Sequence, residues 1–159
     1  MSSVVDNNAD DHVLAGEKKN IFATVIKGKY CKEAEIAIIA AVEAGSLALQ
    51  GIKRAKALNV NNNNDSLGVS SKGGIDLVTK YDKGCETLIF NKLREHFPNY
   101  EFIGEESSSD NDLSDRHTFC VDPIDGTTNF VHTLPMFAIS IGLVVNKKSV
   151  LGIIYIPSS

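Results

Sequence analysis

Two aspartates three residues apart, Asp122 and Asp125, stand in the run Cys120-Val-Asp-Pro-Ile-Asp-Gly-Thr-Thr-Asn-Phe-Val-His132. Two glutamates, Glu105 and Glu106, stand upstream in Gly104-Glu-Glu-Ser107. Carboxylates gathered in this way hold hard divalent cations such as Mg²⁺, which take oxygen ligands from protein and phosphate alike. The arrangement answers a charge problem. A phosphate monoester is an anion and is repelled by a carboxylate cluster unless cations bridge the two. Its hydrolysis is among the slowest uncatalysed reactions, and paired metal ions lower such a barrier by activating water and stabilising the leaving oxygen. The plainer reading of Asp-x-x-Asp-Gly is a turn, since Asp, Pro and Gly are common turn residues. The plainer reading of Glu-Glu is solvated surface.

The elements around these residues decide how they are presented. His117 to Val121 is an apolar run that predicts a short buried strand. Pro123 cannot continue a central strand, which places Asp122 at the strand's mouth. Gly126 permits close backbone approach, and Thr127 or Thr128 is suited to cap a following helix. Tyr100 to Ile103 predicts a strand that delivers Glu105 at its end. Ile75 to Thr79 alternates as a strand, after a turn at Lys72-Gly-Gly. Thr79-x-x-Asp82 then fits a capping box opening a helix with Cys85, Leu88, Ile89 and Leu93 on its apolar face, ending before Pro98. On spacing alone Asp82 is a cap.

An earlier helix is predicted from Cys31 to about Lys56, with Ile38, Val42, Leu49 and Ile52 on one face and Lys53, Arg54 and Lys56 in its last turn. Asn59 to Asn64 is a polar tract that predicts an inserted loop. Met136 to Val145 predicts a long buried strand, Asn146 to Ser149 a hairpin turn, and Val150 to Ile156 the returning strand, ended by Pro157. Residues 1–28 are expected to be a polar tail, with Ile21 to Ile26 either a short strand or a docking segment. Residues 29–159 then form the folded part.

Composition narrows the class. The chain has 159 residues, 43% of them hydrophobic and 23% charged, enough for one domain with a core. A net charge of −4 gives no electrostatic case for nucleic acid or an anionic membrane. No apolar run is expected to approach a membrane span. Cys31, Cys85 and Cys120 show no paired or zinc-like spacing, and read as buried free thiols in a reducing, cytoplasmic compartment. No twelve-residue calcium loop is present.

Three blocks in this order, Asp76-Leu-Val-Thr-Lys-Tyr-Asp82, Gly104-Glu-Glu-Ser107 and Asp122-Pro-Ile-Asp-Gly-Thr-Thr-Asn-Phe-Val-His132, resemble the inositol monophosphatase family. The resemblance runs from about Cys31 to the end and covers about the first half of a family chain. The family's Trp-Asp segment, which supplies a further metal-binding carboxylate, has no counterpart, and the sequence holds no Trp. The resemblance implies the α+β layered αβαβα sugar-phosphatase fold, here its N-terminal half, with helices packed on a mostly antiparallel sheet. It implies Mg²⁺-dependent hydrolysis of inositol monophosphate and a homodimeric assembly. Glu105, Asp122 and the Ile124 carbonyl would bind one metal, and Asp122 with Asp125 a second. Asp125, Gly126 and Thr127 would meet the substrate. Thr127 with Asp82 would position the attacking water, and Glu105 would assist with a third ion. A second expectation, of another class, is a truncated and catalytically inactive chain acting at most as an interaction partner of a full-length protomer. Its last strand would be left as an unpaired sheet edge.

Overall fold

In the computed structural model the described residues are 11–13, 21–26, 29–61, 73–107 and 113–158, with the backbone alone described for 11–13, 21–26, 58–61 and 73–78. The helix predicted from Cys31 runs further than its cationic residues indicate, as α1, Cys31–Asn61. Lys53, Arg54 and Lys56 therefore lie before the last turn, and the first three asparagine-tract positions, 59–61, are helical rather than loop. The rest of that tract lies outside the described residues. The buried face of α1 is a row of alanines, Ala34, Ala37, Ala41, Ala44 and Ala48, all fully buried. Side chains this small at three- and four-residue spacing let a neighbouring helix and sheet come close.

By length and composition Cys31–Ala57 is apolar enough to cross a membrane, contrary to expectation. Here its alanine row is instead spent on the protein core.

The second helix, α2, spans Gly73–His96. This corrects the strand predicted at Ile75 to Thr79. The apparent alternation there belongs to a longer repeat, Ile75, Val78, Asp82, Cys85, Ile89 and Leu93, whose three- and four-residue steps are helical. Thr79 lies within the helix, so no capping box forms and Asp82 is a mid-helix residue on the buried face. Cys85 packs into α1, where its Sγ–H donates to the Ala44 carbonyl at 3.4 Å. Lys92 and Glu43 bridge the two helices at 2.7 Å.

Burial first, and the charge of Asp82 second, push the Cys85 thiol up to about 12. Of the three thiols expected to be buried, Cys85 is, Cys120 is half-buried and Cys31 is exposed, so a thiol reagent at pH 8 should label Cys31 in the native chain and Cys85 only after denaturant. Peptide mapping of the labelled chain reads this directly, and early label at Cys85 would contradict the packing.

The strands are β1 (Asp11–Val13), β2 (Ile21–Ile26), β3 (Glu101–Gly104), β4 (Thr118–Asp125), β5 (Ala138–Val145) and β6 (Lys148–Tyr155). They form one sheet in the order β1-β2-β6-β5-β4-β3. Among the described residues only the β3–β4 pairing is parallel, so the mostly antiparallel sheet with helices is as expected. The β5–β6 hairpin turns at Asn146 and Lys147, both at positive φ (51° and 60°), the two-residue turn that matches strand twist. Ile21–Ile26 is a strand, and it pairs with β6 along Leu151 to Tyr155. The last strand is thus flanked on both sides, and the expected unpaired edge does not occur there.

The helices lie on one face of the sheet, over Phe119, Val121, Ile139, Ile141, Leu151 and Ile153. An aromatic cluster closes one end: Phe97, Tyr100 and Phe102 each stack on or tilt against Phe119 within 6.0 Å. The Tyr100 hydroxyl donates to Glu33 at 2.8 Å and ties the start of α1 to this cluster. The opposite sheet face carries Cys120, Asp122, Ser140, Gly142, Gly152 and Ile154, which line an open cleft of about 720 Å³.

Candidate metal and phosphate site

The carboxylates meet at one end of that cleft. Glu105 follows β3, and its N–H donates to the Val121 carbonyl at 3.0 Å, extending the parallel ladder by one residue. This sets Glu105 beside Asp122, close enough for its carboxyl to raise the proton affinity of Asp122. On β4 the register runs Asp122 opposite Ser140 and Asp125 opposite Ala138, so β4 holds one residue more than β5 over this interval. Pro123 was expected to end the strand; it lies inside this bulge, where a missing N–H breaks no ladder bond. The bulge has a chemical consequence. Residues three apart on a regular strand point to opposite faces, whereas one extra residue returns Asp125 to the side of Asp122.

Gly126 follows with φ of 98°, a left-handed conformation that favours glycine. A Cβ there would also stand 3.1 Å from the Met136 carbonyl oxygen. Gly126 is the cap residue of a short helix, α3, Thr127–Val131, and no side chain caps it. Thr127 is therefore the first helical residue rather than its cap. Its hydroxyl donates to the Ile124 carbonyl at 3.1 Å. The helix is anchored by buried Phe130, which meets Phe137 edge-on at 5.4 Å and Tyr81 at 6.5 Å. From α2, Asp82 enters the cluster 3% exposed.

Packing acids together raises their proton affinity. Asp82 is pushed up to about 7, chiefly by burial and then by the charges of Glu106, Asp122, Glu105 and Glu86. Asp122 is also pushed up to about 7, by burial first, then by its hydrogen bond with Glu105 and the charges of Glu105 and Asp125, against the pull of the Ile124 N–H. One oxygen of Asp122, Oδ1, is buried with no hydrogen-bond partner. A buried carboxylate oxygen left unpaired is unfavourable by about 1–3 kcal/mol, and a cation is the partner that this all-oxygen neighbourhood suits. Among the described residues, no group of three or more His, Cys, Asp and Glu side chains forms a ready-made metal cage.

The structure thus brings Asp82, Glu105, Glu106, Asp122 and Asp125 into one electrostatic cluster, with the Ile124 carbonyl and Gly126 adjoining. Thr127 adjoins too, but its hydroxyl is directed to Ile124. His132 is exposed, and the Asp76 side chain lies outside the described residues. Glu86 escaped the sequence reading. It is 4% exposed on α2, and its Oε2 accepts the Glu106 N–H at 3.0 Å. The signal was a carboxylate next to Cys85 and one turn beyond Asp82, on a face otherwise apolar.

A model of the inositol monophosphatase family matches residues 32–159. The chain belongs to the inositol monophosphatase family. It is 46% identical over 125 residues to inositol monophosphatase 1 of Solanum lycopersicum, covering 77% of this chain and 42% of that protein. It is 40% identical over 124 residues to inositol monophosphatase 1 of Homo sapiens, covering 76% of this chain and 41% of that protein. Among solved structures, inositol monophosphatase II of Staphylococcus aureus aligns at a TM-score of 0.60 and 36% identity, over 79% of this chain and 43% of that one. The suhB protein of Bartonella henselae aligns at 0.60 and 33%, over 79% and 44%. The chain spans less than half the length of these relatives. All the inositol monophosphatase-like motif residues placed above, from Asp82 to Thr127, lie inside the family match, whereas β1 and β2 lie outside it.

Proposed function

We propose that this chain is the carboxylate-bearing part of a cytoplasmic, homodimeric, Mg²⁺-dependent phosphatase that hydrolyses inositol monophosphate to inositol and phosphate. The observation that carries the reading is the buried, unpartnered Oδ1 of Asp122 beside Glu105, in a family whose relatives in tomato and human are inositol monophosphatases. Glu105, Asp122 and the Ile124 carbonyl would hold one Mg²⁺, and Asp122 with Asp125 a second. Bound Mg²⁺ supplies charge neutralisation of the phosphate and activation of water.

The chain's own residues do the rest. Gly126 gives the backbone room at the substrate's phosphate, and Asp125 and Thr127 flank it. The Thr127 hydroxyl, having donated to Ile124, keeps its lone pairs to accept a hydrogen bond from the attacking water. Asp82, poised near neutrality, is suited to take a proton there.

The test is phosphate release from inositol 1-phosphate by the 159-residue chain, with Mg²⁺ and with EDTA. Release that needs Mg²⁺ is expected. A folded chain that releases none, or releases it equally in EDTA, would count against the reading.

A further inference from the structure

Glu86 is a buried acid for which the hydrolytic chemistry has no use. It lies one helical turn after Asp82 on the same face of α2, and both are nearly inaccessible. Adding its charge to a cluster that already holds Asp82, Glu105, Glu106 and Asp122 is unfavourable unless the carboxylate gains a partner. Its partner is backbone: Oε2 accepts the Glu106 N–H at 3.0 Å. The preceding amide, of Glu105, is held by the Val121 carbonyl at 3.0 Å. The turn that carries both glutamates is therefore tied at two successive N–H groups, one to the sheet and one to α2. Gly104 completes the fit, since a Cβ there would collide with the Glu86 carboxylate.

We propose that Glu86 is a positioning residue: by accepting the Glu106 N–H it fixes the turn after β3, holds the Glu105 carboxylate against Asp122, and so sets the site's affinity for a divalent cation. This rests on the metal-dependent reading above. The action is through backbone geometry. An amide oxygen in place of the carboxylate can accept the same bond, whereas a methyl cannot.

The test uses the full chain, stripped of metal, titrated with Mn²⁺ by calorimetry, with hydrogen exchange at the Glu106 amide as a second readout. Loss of an outer-shell partner lowers metal affinity about 10–100-fold. E86A should therefore weaken Mn²⁺ binding at least about tenfold and expose the Glu106 amide to exchange. E86Q should stay within about threefold of the parent and keep that amide protected. G104A, which displaces the carboxylate from the other side, should resemble E86A. E86A relieves like-charge repulsion but leaves the Glu106 N–H without its acceptor, so melting curves check that each variant is folded. Folded E86A with parental affinity would overturn the proposal. So would E86Q as impaired as E86A, because the charge, not the acceptor, would then be what matters. If the parent itself binds no Mn²⁺, the metal-dependent reading fails. The Glu106 amide then still decides the anchoring: protection lost in E86A and kept in E86Q supports it, and unchanged protection in E86A overturns it.

Discussion

Asp122→Asn should stabilise the metal-free chain and at the same time remove its stabilisation by Mg²⁺. The two signs follow from one geometry. Without a cation, Asp122 faces Glu105 and Asp125 as a like charge, with Oδ1 buried and unpaired. An Asn of the same shape removes that charge and can turn its NH₂ toward Glu105, for a gain of about 1–2 kcal/mol. For a chain of this size that raises the melting temperature by roughly 3–6 °C in EDTA. With saturating Mg²⁺ the parent gains by mass action, about 2.7 kcal/mol at a hundred times the dissociation constant, while the variant, short of a ligand, gains little. Phosphate release from inositol 1-phosphate should fall at least about a hundredfold, since even outer-shell losses reach that size. Melting curves of both proteins in EDTA and in Mg²⁺ should therefore cross. A variant that melts below the parent in EDTA, or that gains as much from Mg²⁺, would remove Asp122 from the metal site.

What the sequence disclosed, and what it hid, divides along physical lines. The hairpin after Met136 and the strand before Glu105 were legible because each is short, apolar and bounded by turn residues. The Asp-x-x-Asp-Gly run was legible as a cluster, but not how it works. A proline in a strand ordinarily argues for its end, yet here it sits in a bulge, and that bulge is what sets Asp122 and Asp125 on one side. The alternation at Ile75 to Thr79 misled because five residues cannot separate a period of 2 from a fragment of a three-and-four repeat. Reading on to Leu93 resolves it, and turns Asp82 from a cap into a buried member of the site. The pairing of Ile21–Ile26 with β6 is a contact between residues more than a hundred positions apart, and no local pattern encodes it. Glu86 is hidden in the sequence for a related reason: its partner is a backbone amide, and backbone partners leave no trace in side-chain spacing.

The metal-free chain should lose stability as pH rises through neutrality, opposite to the usual behaviour of a protein with salt-bridged acids. Asp82 and Asp122 each titrate at about 7 in the folded chain, against about 3.9 for an unfolded aspartate. Between those values the folded chain binds protons that the unfolded chain has released, so unfolding stability falls with pH across this window. The contribution is fully present below about pH 4 and is lost as pH passes 7. Allowing for the water that reaches Asp122, the fall from pH 5 to pH 8 is on the order of 2 kcal/mol. Asp82→Asn should remove about half of it, leaving the share that Asp122 carries. Mg²⁺ should reverse the trend, because cation binding needs the ionised carboxylates and so strengthens as protons leave. Urea unfolding at pH 5, 6, 7 and 8, in EDTA and in Mg²⁺, separates these effects. Stability that rises steadily with pH in EDTA would mean that the acids are relaxed before any cation arrives, and that the site is assembled by the metal. A fall with pH that Asp82→Asn reduces by about half would mean that the fold holds its carboxylates together in advance, under a repulsion that the cation relieves.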